Sequence, residues 1–589
     1  MFQNFTAATS PEQGPPRLKR LRQEMENEGL SGLLVSRADQ YQGEYVAECD
    51  ERLAWLTGFT GSAGYCLVLP DIAGVFIDGR YRVQVKEQVA ADAFTPVPFP
   101  EVRPGDWLRD NIAAGKVGFD PWLHTPFQID AIRKGLEDTG IELVPCPDLI
   151  RRIWVDRPAP PYGDVLEHPL ELSGRRSSDK REDIAKVLRD AGHRSAILTL
   201  PDSICWLLNI RGNDIKRIPI VQCFAIIHDD AKMDLFIDPN RVKHLSLGDA
   251  ISVHSPDDFS HVLKDLAGIV RLDRKSAPLA IGQIVTAEIA YDDDPCILPK
   301  ACKNEVEIEG ARAAHKRDAV AMIGFLAWLD TQQPDSFTEI DVVQALEAFR
   351  SKTNALKDIS FETISGSGPN GAIVHYRVTE DSNRTVNDGE LLLIDSGAQY
   401  IDGTTDITRT VAIGTPSDEQ RRCYTRVLQG MIAVSQARFP RGVSGRDIDP
   451  LARAPLWMEG LDYDHGTGHG VGAYLSVHEG PQSISRNSEV PLKPGMLLSN
   501  EPGYYREGAF GIRIENLIVA QTAVPLGDNR DQLSFETLTW VPFDRNLIDT
   551  NLLSPAERSW IDSYHATIRE TINARPDAAN WLENATAPL

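Results

Sequence analysis

The sequence predicts an α+β protein of three domains, two similar α/β domains in the N-terminal half and a larger α+β domain after them. Three observations carry this. The chain has 589 residues, and a single hydrophobic core stops growing at about 250–300. Two stretches roughly 160 residues apart read alike, down to Phe76-Ile77-Asp78 and Phe236-Ile237-Asp238. Past about residue 300 the pattern changes to long helices alternating with paired strand-like runs, as in an α+β arrangement.

The first stretch, residues 1–158, has an amphipathic helix in "RLKRLRQEMENEGL", a short apolar strand in "SGLLVS", the pair Trp55-Leu56 and a strand ending at Asp78. The second, residues 159–300, repeats that order with "KREDIAKVLRDAGH", "SAILTL", Trp206-Leu207 and a strand ending at Asp238. The spacing far exceeds the about 20–50 residues of a solenoid repeat, so these are duplicate domains. The Pro-rich "DRPAPPYGDVLEHP" reads as their linker. The third region, residues 301–589, opens on a long helix in "KNEVEIEGARAAHKRDAVAMIGFLAWL". Capping boxes at Thr338/Asp341 and Ser417/Gln420 start two more helices, and Ser554, Pro555 and Glu557 fill N-cap, N1 and N3 of a fourth. Between them "ELLLID", "ITRTVAIG", "GMLLSNEPG" and "GIRIENLIVA" read as strands.

Composition narrows the partners. A formal net charge of -24 argues against nucleic acid and anionic membranes, which need clustered Lys and Arg. The eight cysteines are scattered without CxxC spacing, as expected of reduced, buried thiols. The N-terminus has no apolar segment of a secretory signal, and no run of about 18 apolar residues spans a membrane. The expectation is a cytoplasmic protein.

The chemistry concentrates between residues 375 and 515. Asp395 ends an apolar run, and Asp406 opens "DITRTV"; the link between them holds Gly397 and Gly403, so the two strands are expected to form a hairpin that brings the acids together. Adjacent carboxylates repel unless one takes a proton or a cation sits between them. In "GIRIENLIVA", read as one strand, alternation puts Arg513 and Glu515 on the face opposite Ile512 and Ile514. Glu501 follows an apolar strand and precedes a Pro-Gly turn, and "DHGTGHGVGAYLSVHEG" places His465, His469 and His478 in one glycine-broken segment. A lone strand-end Asp usually caps a turn, and a lone Arg–Glu pair is often a solvated neighbour pair. Clustered acids with imidazole and no thiolate are ligand chemistry for a hard divalent cation: Mn²⁺, Co²⁺ or Zn²⁺, with bridging carboxylates for two ions.

The ordered set "IDSGAQYIDGTTDITRT", "HGTGHGVGAYLSVHEGP", "SNEPGYY" and "GIRIEN" resembles the pita-bread metallopeptidases, which include methionine aminopeptidase, prolidase, creatinase and aminopeptidase P. Within that family the chain is most similar to the long, three-domain cytosolic-type aminopeptidase P (X-prolyl aminopeptidase). The likeness covers nearly the whole chain, includes the loop "GVGAYLSV" between His469 and His478, and extends to "LTWVPFDRNLID". The resemblance implies a C-terminal pita-bread domain preceded by two creatinase-type domains. It implies Asp395, Asp406, His469, Glu501 and Glu515 as ligands of two divalent ions, Mn²⁺ first, with Asp406 and Glu515 bridging. It further implies that a bridging hydroxide attacks the scissile carbonyl and that Glu501 accepts and returns the proton. His375 and His478 would contact substrate, with His478 helping to build the proline pocket. His465 would line the site, Arg513 would orient a bridging carboxylate, and Arg80 in "IDGRY" would contact substrate. Gly468 and Gly470 are expected to leave the ion at His469 uncrowded.

The implied reaction releases the N-terminal residue from proline-containing peptides with Pro in second place. An imide bond carries no N–H at the scissile position, so its site needs an apolar slot for the ring and no acceptor there. A homodimer is implied as well. The alternatives are a prolidase-type dipeptidase and an inactive pita-bread binding module; the latter lacks the ligand set found here.

Overall fold

The computed structural model describes residues 1–527 and 530–589. It divides into two compact units, Ala8–Lys300 and a second made of Met1–Ala7 with Ala301–Leu589.

The unit Ala8–Lys300 holds two six-stranded sheets built to one plan. The first runs Thr95–Pro98, Ala73–Ile77, Tyr65–Val68, Gly32–Ser36, Ala114–Phe119, Gly140–Pro145. The second runs Ile251–His254, Met233–Phe236, Phe224–His228, Ser195–Leu198, Ile269–Leu272, Glu288–Tyr291. In each, the first strand of the repeat sits inside the sheet, antiparallel to one neighbour and parallel to the other: Leu33 faces Val68 and Gly118, while Ser195 faces His228 and Val270. The repeated Trp-Leu pairs lie buried on equivalent short helices, Arg52–Thr57 and Pro201–Leu208. Both helices end in a left-handed residue, Gly58 and Asn209. At Gly58 a Cβ would stand 2.3 Å from the Gln88 carbonyl oxygen, so both its φ of 89° and the close approach require glycine. The repeated Asp has a local reason too: Asp78 and Asp238 each accept from a backbone N–H two residues on and cap a 3₁₀ turn.

In the unit with Ala301–Leu589 the long helix is Glu305–Leu329, capped reciprocally by Asn304 and Glu307. Helices Glu339–Ser351, Asp418–Ser435 and Pro555–Thr571 begin at the capping boxes expected from their sequences. Three strands, Ile364–Ser367, Leu391–Ser396 and Ile407–Ala412, form one antiparallel sheet. A six-stranded sheet runs Arg438–Pro440, Gln532–Thr537, Asn516–Thr522, Leu497–Asn500, Gly468–Gly470, Glu479–Ile484. Leu391–Ser396 is buried throughout, which is why it reads as an unbroken apolar run rather than an alternating one. Its Leu392 and Ile394 join Ile407, Ile512, Ile514, Tyr424 and Leu428 in the main core.

Two expectations change. The strands bearing Asp395 and Asp406 do pair, with Asp395 opposite Thr408, but their link is itself structured: Ala398–Tyr400 pairs with Gly403–Thr404. "GIRIENLIVA" is two strands, not one. Phe510–Arg513 pairs with Gly503–Arg506, and Asn516–Thr522 joins the six-stranded sheet. The break falls at Ile514-Glu515, whose backbone N–H groups donate out of both sheets, to the Pro502 and Thr408 carbonyls.

Candidate metal centre

Four strand ends and one turn converge here. Asp395 lies near the end of Leu391–Ser396, Asp406 just before Ile407–Ala412, and His469 on the short strand Gly468–Gly470. Glu501 follows Leu497–Asn500, and Glu515 sits at the break described above. One ligand atom from each of Asp406, His469 and Glu515 lies within 4.8 Å of the other two. Glu501 joins through His469: its Oε1 is 3.3 Å from Nε2, and Asp406 Oδ2 is 3.4 Å from the same nitrogen.

Four of the five groups, Asp395, His469, Glu501 and Glu515, are held from behind. His469 Nδ1 lies 2.9 Å from the Gly470 carbonyl oxygen; it therefore donates there and leaves Nε2 facing the acids, the nitrogen that a metal ion would take once its proton is lost. Ser499 Oγ accepts from the His469 N–H and donates to Glu501 Oε1, each at 2.9 Å. Thr408 Oγ1 donates to Glu515 Oε2 at 2.9 Å. The Arg513 guanidinium donates to Asp395 Oδ2 and to the Tyr505 hydroxyl, both at 2.6 Å. Because an arginine only donates, the Tyr505 hydroxyl proton is free for His465 Nε2, 2.8 Å away. His465 then carries its own proton on Nδ1, which meets the Gly466 carbonyl oxygen at 2.8 Å. A chain of hydrogen bonds thus runs from His465 through Tyr505 and Arg513 to Asp395.

The electrostatics are those of a cation site with its charge left to supply. Burial, then the neighbouring Asp406 charge, outweigh Arg513 and lift the Asp395 carboxyl to about 6. Burial and the surrounding acids drive Glu515 well above the usual carboxylate range, and burial and Asp406 raise Glu501. Burial works against the His469 imidazolium, but Asp406 and Glu501 overcome it and hold it at about 9. Asp395 Oδ1 and Glu515 Oε1 are both buried acceptors without a hydrogen-bond partner. Buried lone pairs left so in a nest of carboxylates are costly. A divalent cation satisfies both and neutralises the repulsion, so the oxygen-and-imidazole set fits the metal that the sequence pointed to.

The remaining expected residues are placed as follows. The His478 ring packs against the His469 ring at 4.3 Å between centroids, nearly perpendicular. His375 is half-buried in the turn after the short helix Gly368–Ala372, whose Gly371 carbonyl lies against Gly511 of the Arg513 strand. Arg80 belongs to the other unit, where Asp78 takes its guanidinium at 2.7 Å. The glycines beside His469 have another purpose than expected. A Cβ at Gly468 would stand 1.9 Å from the Ser499 carbonyl oxygen, and one at Gly470 would stand 2.2 Å from that of Glu479. They let the His469 strand lie close to its neighbours. Sequence reasoning passed over Tyr505, Thr408 and Ser499. Only the doubled Tyr after the Glu501-Pro-Gly turn offered a signal.

Fold and site together define a pita-bread metallohydrolase with two creatinase-type domains ahead of it. Comparisons with known proteins are specific. Residues 309–522 match the model of metallopeptidase family M24, and 531–589 that of the C-terminal region of the same peptidases. Residues 17–153 and 156–307 each match a creatinase/prolidase N-terminal domain. Aminopeptidase P1 of Lotus japonicus is 36% identical over 95% of this chain and 97% of its own. A probable Xaa-Pro aminopeptidase P of Coccidioides posadasii is 37% identical over 99% and 95%. The crystal structure of an X-prolyl aminopeptidase from Caenorhabditis elegans, described as a cytosolic enzyme with a di-nuclear active site, superposes with a TM-score of 0.92 at 32% identity. It covers 98% of this chain and 99% of that one. The chain belongs to metallopeptidase family M24, among the Xaa-Pro aminopeptidase P proteins.

Proposed function

We propose that this protein is an Xaa-Pro aminopeptidase, a metalloexopeptidase that releases the N-terminal residue from peptides with proline in second place. The observation that carries the reading is the buried nest of Asp395, Asp406, His469, Glu501 and Glu515, with two carboxylate oxygens lacking any hydrogen-bond partner, in a chain that matches aminopeptidases P along its length.

Those five residues would hold two divalent ions, Asp406 and Glu515 being offered to both. Such a pair supplies Lewis acidity, polarising the scissile carbonyl and making water nucleophilic at neutral pH. The protein's own groups do the rest. Arg513 fixes Asp395 and, through Tyr505, the tautomer of His465. Glu501, steadied by Ser499, takes a proton from the attacking water and returns it to the departing proline nitrogen. His375 donates a hydrogen bond to substrate beside the scissile bond. His478, fixed edge to face with His469, contacts the carbonyl and bounds the proline ring together with His465. Mn²⁺ is the proposed resident ion. A cytoplasmic homodimer is the proposed form; its location is supported by the cytosolic description of the nematode structure, and among the described residues no helix is long and apolar enough to cross a membrane.

Arg-Pro-Pro, Arg-Ala-Ala and Gly-Pro, each with Mn²⁺ or chelator, separate the readings. Release of Arg from the first peptide alone, and only with metal, is expected. Cleavage of Gly-Pro alone would make the protein a prolidase. No hydrolysis of any peptide after metal reconstitution would leave only the binding-module reading.

A further inference from the structure

The chain's first residues do not pack with the domain that follows them. Met1–Ala7 belongs to the same compact unit as Ala301–Leu589, and the next residues leave for Ala8–Lys300. Gln3 is buried and Phe5 half-buried, while Asn4 and Thr6 are exposed. That alternation is an extended segment lying with one face down.

What it lies on is the segment that carries His375. The Gln3 amide pairs both ways with the Thr363 backbone: the Thr363 N–H donates to Oε1 at 2.8 Å, and Nε2 donates to the Thr363 carbonyl at 3.3 Å. The Glu380 N–H donates to the Phe5 carbonyl at 2.8 Å. Arg377, two residues past His375, donates to Asn4 O at 3.2 Å, to Asn4 Oδ1 at 3.1 Å and to Thr6 O at 3.4 Å, and is also paired with Glu362. Phe5 packs against the apolar cluster formed by Val343, Ile364, Tyr376, Val378 and Leu393. The Phe2 and Gln3 N–H groups anchor the segment on the Glu347 carboxylate at 2.8 and 3.4 Å. Residues 362–364 and 376–380, on either side of the turn that carries His375, are therefore gripped from outside. From inside, the Tyr376 hydroxyl donates to Glu339 Oε2 at 2.9 Å.

We propose that residues 3–6 are a strap that positions the His375 turn, so that the first few residues of a 589-residue chain set its turnover. Among the described residues the strap's hydrogen bonds reach Glu347, Thr363, Arg377 and Glu380 and no proposed metal ligand, so its loss is expected to leave the metal centre assembled and the turn loose. The consequence for turnover rests on the reading of His375 as a substrate contact, and the test separates the two.

The test uses the full chain with Gln3→Ala and Phe5→Ala together, alongside Phe5→Leu, which keeps the apolar slot filled, and His375→Ala. In the double variant, amide hydrogen exchange over residues 373–380 is expected to rise ~10-fold. Bound metal should stay at the wild-type amount, and kcat on Arg-Pro-Pro should fall ~10–100-fold, the scale of a small misplacement of a catalytic contact. Phe5→Leu should restore both exchange and kcat. Unchanged exchange at 373–380 overturns the strap, whatever the activity. Faster exchange with wild-type kcat overturns its role in turnover; a fully active His375→Ala would trace that to the reading of His375 rather than to the strap.

Discussion

Glu515→Gln is expected to make the metal-free protein more stable and the metal-loaded protein less so. Gln keeps the shape and one oxygen for the Thr408 hydroxyl, which now donates to Glu515 Oε2 at 2.9 Å. What it removes is charge. Ligand atoms of Asp406 and Glu515 lie within 4.8 Å, where two unit charges repel by ~3.5 kcal/mol at an effective dielectric constant of about 20. Glu515 already escapes part of this by holding a proton, as its strongly raised pKa records, so the net gain from the amide is ~1–3 kcal/mol. At roughly 2 °C per kcal/mol for a unit of this size, the chelated variant melts ~2–6 °C above chelated wild type. With metal the order inverts. Two ions, each at 100 times its Kd, stabilise wild type by ~5.4 kcal/mol, and the variant is expected to lose most of that gain with the carboxylate proposed to serve both. The assay is thermal melting with chelator and with Mn²⁺, paired with metal analysis. A chelated Glu515→Gln melting at or below wild type, with an undiminished Mn²⁺ shift, would refute the account of the buried acids as a cation site.

Other outcomes follow from the same geometry. Asp395→Ala is expected to abolish peptide release and lower bound metal; full activity with undiminished metal would remove it from the ligand set. His375→Ala should keep its metal and lose ~100-fold or more in turnover, the scale of one positioned proton or hydrogen-bond partner, whereas loss of metal would show it serving the ions. The metal-free protein has a pH dependence of definite sign. Asp395 is held at about 6 against an ordinary 3.8, and His469 at about 9 against 6.5. Raised folded-state values mean that the native state binds these protons more tightly. Their contribution is fully present below the ordinary values and is lost as pH rises through the folded ones, between about 4 and 6 for Asp395 and between about 6.5 and 9 for His469. Metal binding needs both groups deprotonated, so the gain in Tm from Mn²⁺ should grow from pH 6 to pH 9; a flat or falling gain contradicts the assignment.

Much of the fold was legible because its signals are local. The capping boxes at Thr338, Ser417 and Ser554 act within one helical turn, and the duplicated strand, Trp-Leu helix and Asp-capped turn repeat as blocks. Asp395 stood out because a strand buried on both faces ended in a charge. Most of the support around the metal centre was not legible, because its partners meet only after folding, and Arg513, expected to orient a bridging carboxylate, holds Asp395 instead. Arg513 reaches Asp395 across 118 residues, Arg409 reaches the Glu515 carbonyl across 106, and the buried Lys303 reaches Glu479 across 176. Alternation served as far as Arg513 and Ile514, then lost its meaning where the chain leaves a two-stranded sheet for a six-stranded one. The glycines beside His469 misled for the same reason: what they accommodate are carbonyl groups of strands 9 and 31 residues away.

The central claim is that the nest of acids and His469 holds the ions that make this chain an Xaa-Pro aminopeptidase. It is tested most directly by adding Mn²⁺ in measured equivalents to metal-stripped protein while following Arg release from Arg-Pro-Pro. The account predicts no release at zero equivalents, a rise that saturates at two per chain, and no rise in Asp395→Ala. Full release from stripped protein in chelator, or an equal rise in Asp395→Ala, would contradict it.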